Sequence, residues 1–307
     1  MSVNQKVIDK DFRKNVILQG SLLVGCSAIL YGFLGYFGIN ILRENISVSN
    51  MLFWRFLIAG VWMSLFAIRK HKKTNIFSQL DQRTLFFMFI LGAVGYAGSS
   101  ELYFSAIRYI GTGLAMVIFF SYPIMIALLT WLVHRQRFSL LTSITLVTMS
   151  VGLYLLRDAA THPLSLLGIM MALIGAVLYA LYVFGSKRFS SVDMDSNLLT
   201  IMVCLSCALM FLIASTLTHQ FAVPPSLRAW LFLVALGILG TALPIQFMLE
   251  GLKYVSSLRA SIISVLEPLV TVIVGVMVLG ESISHIQLIG AGIVLSSAML
   301  VQLQKEL

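Results

Sequence analysis

Long apolar runs, broken by short polar or charged clusters, follow one another along the whole chain. They lack the alternation of a half-buried strand and the one-sided stripe of a soluble helix, so they read as helices that are apolar all round. A membrane-crossing helix needs about 20 such residues. The pattern predicts ten spans, at 16–42, 50–68, 84–107, 112–133, 138–156, 164–185, 196–218, 229–251, 258–279 and 284–303. The breaks have chemical causes. Arg43-Glu44-Asn45 separates the first two spans, Arg69-Lys70-His71-Lys72-Lys73 ends the second, and His134-Arg135-Gln136-Arg137 follows the fourth. His162-Pro163 and Pro224-Pro225 mark turns, because proline has no N–H to continue a helix. The predicted fold class is therefore an all-α polytopic membrane protein.

The spans are not independent. Shifted by 145 positions, Gly92, Gly95, Ala97, Tyr109, Ala115 and Pro123 fall on Gly237, Gly240, Ala242, Tyr254, Ala260 and Pro268. At an offset of 148, Gly20, Ala28 and Tyr31 fall on Gly168, Ala176 and Tyr179. The chain thus divides into a polar amino-terminal segment, 1–15, a first five-helix repeat, 16–156, and a second, 164–303. Five is odd, so the second repeat enters from the opposite face. Inverted repeats of this kind build secondary transporters, with the substrate near the bilayer midplane where the copies meet. Ala172, Ala176 and Ala180 form a small-residue stripe that lets helices approach closely.

Composition supports the membrane reading and narrows the rest. Of 307 residues, 59% are hydrophobic and only 11% charged, against roughly 25% charged in a soluble domain. Ten spans use up the length and leave no stretch for a soluble catalytic domain. The net charge of +9 needs no nucleic acid to explain it. The amino terminus, the loops after even-numbered spans and the carboxyl terminus hold 16 of the 21 Lys and Arg. The other side holds Arg43, Arg108, Arg157 and Arg228, and Arg55 lies inside a span. Basic residues collect on the cytoplasmic side, so both termini are expected in the cytoplasm and the protein in the cytoplasmic (inner) membrane. The apolar run after residue 15 is too long for a signal peptide and stays as the first span.

Few groups in the spans carry chemistry. Cys26, Cys204 and Cys207 read as buried thiols, since no second Cys or His pair accompanies the CxxC spacing of the last two. The five histidines fall in loops or at helix ends, so no metal and no cofactor is expected. There is no GxxxxGK[ST], HExxH or GxSxG motif, so nucleotide hydrolysis, metalloprotease and serine-esterase chemistry are not expected. Charges in hydrocarbon must face a cavity, a partner or the interface. Arg55, after Trp54, either snorkels to headgroups or neutralises an anionic group. Glu101 is a satisfied carboxyl near the interface or a substrate or proton contact, and its repeat equivalent is Gln246. Glu267, beside Pro268, is the strongest candidate, to bind a cationic group or carry a proton, with a carboxyl fixed to a neighbouring backbone amide as the alternative. Pro268 frees backbone carbonyls, and irregular backbone at membrane depth lines cavities or is buried in protein. The mirrored place holds Tyr122 beside Pro123. Glu250 and Glu281 lie at helix ends and read as structural, and Arg259 opens the ninth span and reads as snorkelling. The symmetric pair Tyr31 and Tyr179 could stack a planar ring or hold a cation.

Two five-helix repeats, Tyr122-Pro123 mirrored by Glu267-Pro268, the run to Leu279-Gly280-Glu281 and the arginine in the second span together resemble the drug/metabolite transporter superfamily, in its ten-helix EamA-type branch. The resemblance covers nearly the whole chain. It implies alternating access, often as an exporter of amino acids or metabolites, around a cavity lined by helices one to four and six to nine. Helices five and ten would be peripheral. The chain departs from the pattern at the end of the fourth helix, where Arg135-Gln136 replaces the expected Gly-Glu. The expected substrate is a small zwitterion or an aromatic or heterocyclic metabolite, with an S-adenosylmethionine- or nucleotide-like compound as the alternative. Its expected partners are that small molecule and membrane lipids. A channel, a membrane scaffold or receptor, and a lipid-modifying enzyme are the other classes. The enzyme would need a nucleophile or metal cluster in the spans, and none is found.

Overall fold

The computed structural model describes residues 3–70, 82–135, 139–156, 165–190, 195–280 and 284–302. Among the described residues there is no strand. The helices, in chain order, are α1 (Asn15–Leu42), α2 (Val48–Arg69), α3 (Gln82–Gly111), α4 (Leu114–His134), α5 (Leu140–Leu156), α6 (Leu166–Phe189), α7 (Ser196–Leu217), α8 (Leu227–Gly251), α9 (Ser257–Val278) and α10 (His285–Leu300). Eight are long and apolar enough to cross a membrane, and α5 and α10 are shorter apolar helices. The protein is a multi-pass membrane protein, all-helical among the described residues, with ten helices there in two inverted five-helix repeats. Two boundaries differ from the sequence reading. The first helix runs back to Val3, so the polar amino-terminal segment continues into the span. Helices α3 and α4 are joined through Gly111 (φ 75°), a left-handed conformation open to glycine without steric cost. The expected breaks at residues 71–73, Gln136-Arg137, Arg157 and His162-Pro163, and Glu281, lie outside the described residues.

The inverted symmetry is visible in the packing. α1 lies along α8 and α3 along α6, two contacts that the repeat exchanges. α2 lies along α7 and α5 along α10, each a helix against its own mirror image. The residues that carry the repeat sit at these contacts. A Cβ on Gly20 would fall 2.7 Å from Tyr254 Cβ, and one on Gly168 would fall 2.7 Å from Tyr109 Cβ. Both are glycine because the facing segment is too near for any side chain. The outlying pair meets in the same manner, with Gly290 close to the Leu156 backbone and Gly152 close to Val294.

Several spans are interrupted, and the interruptions cluster. α1 breaks at Gly32-Phe33, α4 at Phe120-Ser121 and α9 at Ser264-Val265. Pro123 and Pro268 follow the last two breaks, within the first turn of the restarted helix. There the missing N–H costs nothing, because first-turn donors have no intrahelical acceptor. In α1, Gly32 lets Val270 of α9 approach until a Cβ would lie 2.4 Å from Val270 Cγ1. The mirrored residue in α6 is Ala180, and that helix runs on without a break. α3 and α8 each carry a π-helical turn, Leu91–Tyr96 and Ile238–Ala242, inside the gapless repeat blocks. α4 and α9 also end alike, in the left-handed conformation at Arg135 (φ 53°) and Gly280 (φ 72°).

Candidate functional site

The interruptions surround a cavity of about 280 Å³, at the small end of the roughly 300–1,000 Å³ typical of ligand pockets. Tyr31, Leu34, Gly35, Gly38, Ile39 and Leu42 of α1 form one wall, and Tyr96, Ser99, Ser100, Tyr103, Phe104 and Ile107 of α3 another. Met116, Phe119, Phe120 and Tyr122 of α4, with Tyr179 of α6, supply more aromatic surface. The charged groups are Arg55 of α2 and Glu267 of α9, the latter beside Pro268 and Thr271. No lining residue comes from α5 or α10. None comes from α7 or α8 either, which corrects the wall implied by the resemblance: α7 and α8 stand behind the lining helices. α8 still shapes the site by holding Arg55.

Arg55 is 2% exposed, which rules out snorkelling to headgroups. Its Nε donates to Thr241 Oγ1 at 2.6 Å, and Nη2 approaches the Gly240 carbonyl at 3.5 Å. Both acceptors lie in the π turn of α8. Thr241 Oγ1 donates in turn to the Leu236 carbonyl five residues earlier, at 2.8 Å. Pro244 offers no N–H to the Gly240 carbonyl four residues before it. The π turn thus presents a hydroxyl and a carbonyl to a guanidinium that the apolar spans would otherwise leave unsatisfied. The guanidinium also lies over the Phe56 ring, 4.9 Å from its centroid.

Glu267 opens the restarted half of α9, where a carboxylate suits the positive end of the helix dipole. Its backbone N–H donates to Ser264 O at 3.0 Å, and its carbonyl accepts from Thr271 Oγ1 at 3.0 Å. Among the described residues its carboxyl has no hydrogen-bond donor, and neither Glu267 nor Arg55 belongs to an ion pair. Tyr122, in the mirrored position, donates to Ser261 O at 3.3 Å, so the broken segments of α4 and α9 touch. Tyr31 and Tyr96 share a hydroxyl–hydroxyl bond of 2.8 Å. Tyr179 stands among rings, 4.7 Å from Tyr122 at 84° and 5.5 Å from Phe119. The edge-to-face contact with Tyr122 fixes its ring orientation.

Of the residues singled out in the sequence, Tyr31, Arg55, Tyr122, Tyr179, Glu267 and Pro268 meet at this cavity. Pro123 is buried one residue behind it. Three more do not line it. Trp54 packs on Trp230 and Phe221 and donates to the Ala222 carbonyl at 3.0 Å. Gln246 accepts from Thr200 at 2.7 Å and ties α7 to α8. Glu101 has Ser105 Oγ at 3.5 Å from one oxygen and a buried second oxygen without a partner among the described residues. Arg259 is 4% exposed inside the bundle, which replaces the snorkelling reading. The sequence reading missed Thr241. A threonine in an apolar span gives no signal alone, but it aligns at offset 145 with Tyr96, which lines the cavity.

Residues 18–157 and 166–303 each match the EamA-like transporter family. The chain belongs to the EamA-like transporter family. This EamA-like protein is similar over nearly its full length to proteins named as transporters. An uncharacterized transporter of Archaeoglobus fulgidus is 24% identical over 92% of this chain and 95% of that protein. The uncharacterized inner membrane transporter YicL of Salmonella typhimurium is 28% identical over 94% and 96%. A solved crystal structure superposes with a TM-score of 0.78 over 92% of this chain and 96% of that one, at 18% identity, and shares the fold.

Proposed function

We propose that this membrane transporter moves a small zwitterionic metabolite, an amino acid or an aromatic relative of one, across the cytoplasmic membrane by alternating access, with both termini in the cytoplasm. One observation carries the substrate class. A guanidinium from the first repeat and a carboxyl from the second face one cavity, and neither is spent on an ion pair among the described residues. Unpaired charges in a low-dielectric site are costly, and a ligand carrying both an anionic and a cationic group would relieve both. The tyrosine and phenylalanine walls fit a planar side group. The basic bias toward one face supports the orientation. Glu267 is the proposed proton carrier, since a carboxyl free of fixed donors can exchange a proton for a substrate cation.

The test is thermal stability in detergent against amino acids, nucleosides, S-adenosylmethionine, choline-like cations and sugars. A ligand at 100 times its Kd stabilises the state that binds it by about 2.7 kcal/mol. The expected shift comes from a zwitterion and disappears in Arg55→Ala and in Glu267→Gln. A shift from sugars alone, or one unchanged in both variants, would refute the site. In proteoliposomes, Glu267→Gln is expected to abolish uptake driven by a pH gradient. An unaltered response to the gradient would remove the proton role.

A further inference from the structure

Lys187 sits in the last turn of α6, at the end of the bundle that carries both termini. Its ammonium group leaves its own helix and donates to the carbonyls of Leu252 and Val255, the latter at 2.9 Å. Both carbonyls belong to the connection between α8 and α9, where α8 has ended and its last acceptors have no helical donor. The same connection is pressed against α1. A Cβ on Gly20 would lie 3.0 Å from Val255 Cγ1, and one on Gly251 would lie 2.9 Å from the Gly20 carbonyl. The α1 contact has an equally close mirror at the other end, Gly168 against Tyr109 and Ile110, so what sets the terminal end apart is the Lys187 bond, together with Val183, which is buried where its mirror Gly35 lines the cavity.

The cavity reaches toward the opposite end, where its lining residues Ile39 and Leu42 are 41% and 36% exposed. The repeat offset of 148 carries Lys187 back to Ile39, and the offset of 145 carries Leu252 back to Ile107. Ile39 and Ile107 both line the cavity. The mirror of the Lys187 contact thus falls on two residues of the cavity wall. The two ends also differ in chemistry, since isoleucine has no donor to offer a carbonyl.

We infer that Lys187 is the gating residue of the terminal end. It latches α6 to the α8–α9 connection while the cavity is open at the other end, and it lets go when the terminal end opens. Charge-assisted bonds to carbonyls are strong when made. A lysine near the membrane surface can surrender them to water without stranding its charge in hydrocarbon. The inference rests on alternating access, and it does not depend on which substrate is carried.

Cysteine accessibility tests it without a substrate. The reporters are Gly35→Cys on the open wall and Val183→Cys, its mirror at offset 148, which is fully buried at the closed end. Cβ at residue 35 meets only Thr271 Cγ2, at 3.9 Å, so the first reporter fits. Cys26 is exposed, unlike the buried thiol expected from the sequence, so each reporter is placed in a Cys26→Ala background and labelled in detergent with a bulky hydrophilic maleimide. With Lys187 intact, residue 35 labels fast and residue 183 slowly. Lys187→Met is expected to raise the ratio of labelling at 183 to labelling at 35 about tenfold or more, the shift carried by one hydrogen bond to a charged group. Lys187→Arg keeps two donors and should retain the wild-type ratio. A folded Lys187→Met protein with the wild-type ratio overturns the latch. Should that variant fail to fold, Lys187→Ala, which also has no donor, decides: a raised ratio supports the latch and a wild-type ratio overturns it. Either result leaves the ligand panel for the central cavity to be judged separately.

Discussion

Replacing Thr241 by valine keeps its shape and removes one hydroxyl. That hydroxyl accepts from Arg55 Nε at 2.6 Å and donates to the Leu236 carbonyl at 2.8 Å. The remaining acceptor of the guanidinium is the Gly240 carbonyl at 3.5 Å, too far for a strong bond. In a soluble protein, a hydrogen bond to a buried charge contributes about 1.5–3 kcal/mol. Between membrane helices, couplings average about 0.6 and reach about 1.7 kcal/mol, because unfolded helices in the membrane find other partners. The Arg55–Thr241 bond is short, charge-assisted and buried, so its coupling belongs near the top of the membrane range, at about 1–1.7 kcal/mol. The assay is a double-mutant cycle. The wild type, Arg55→Met, Thr241→Val and the double variant are unfolded reversibly from mixed micelles by increasing the fraction of a denaturing detergent. Thr241→Ser, which keeps the hydroxyl, should restore most of the coupling. If the two single losses add to the double within about 0.3–0.5 kcal/mol, the π turn of α8 does not hold Arg55 and the reasoning fails.

Other consequences can be read in the same unfolding assay. Gly20→Ala and Gly168→Ala each place a methyl 2.7 Å from a tyrosine Cβ, and each should cost about 1–3 kcal/mol; a loss at only one of them would break the mirrored-contact account. At Gly25 an added methyl would meet no heavy atom within 4 Å, so Gly25→Ala should instead gain up to about 1 kcal/mol. Arg135 holds a left-handed conformation that its mirror Gly280 adopts freely, so Arg135→Gly should stabilise by up to about 1 kcal/mol while Arg135→Ala should not, as both unfolding curves will report.

The architecture was legible because its signals are covalently simple. Apolar length marks the spans, and the gapless offset of 145 marks the repeat. Gly20 and Gly168 aligned in sequence because they face equivalent tyrosines in space. The site was legible only in part. Arg55 and Glu267 stand out because charges are rare in spans, and both face the cavity. Rarity does not say which way a side chain points. Glu101 is as rare as Glu267, yet it lies beside Ser99 and Ser100 on α3 without joining them at the wall. Trp54 sits next to Arg55 in sequence but packs into the Phe221 and Trp230 cluster. Helices that are apolar all round give no moment by which to assign a face. Lys187 looked like one more basic residue at the cytoplasmic end of a helix. Its acceptors are main-chain carbonyls, which no residue pattern records.

The departures from symmetry carry the chemistry that the symmetry cannot. Two identical repeats would place two copies of every group about the cavity, and like charges would then face each other in a low-dielectric space. This chain avoids that by dividing the charges. Glu267 faces the place where its mirror is the neutral hydroxyl of Tyr122. The packing that brings Gly237 against the carbonyl of Arg55 brings Gly92 against Val203, so the mirror of the guanidinium is an apolar residue. One repeat thus contributes the cation and the other the carboxyl. The backbone follows the same rule, with a break at Gly32 in α1 and a continuous helix through Ala180 in α6. The repeat supplies a scaffold that can open at either end, and the unmatched residues give the cavity one orientation for a ligand that has two different ends.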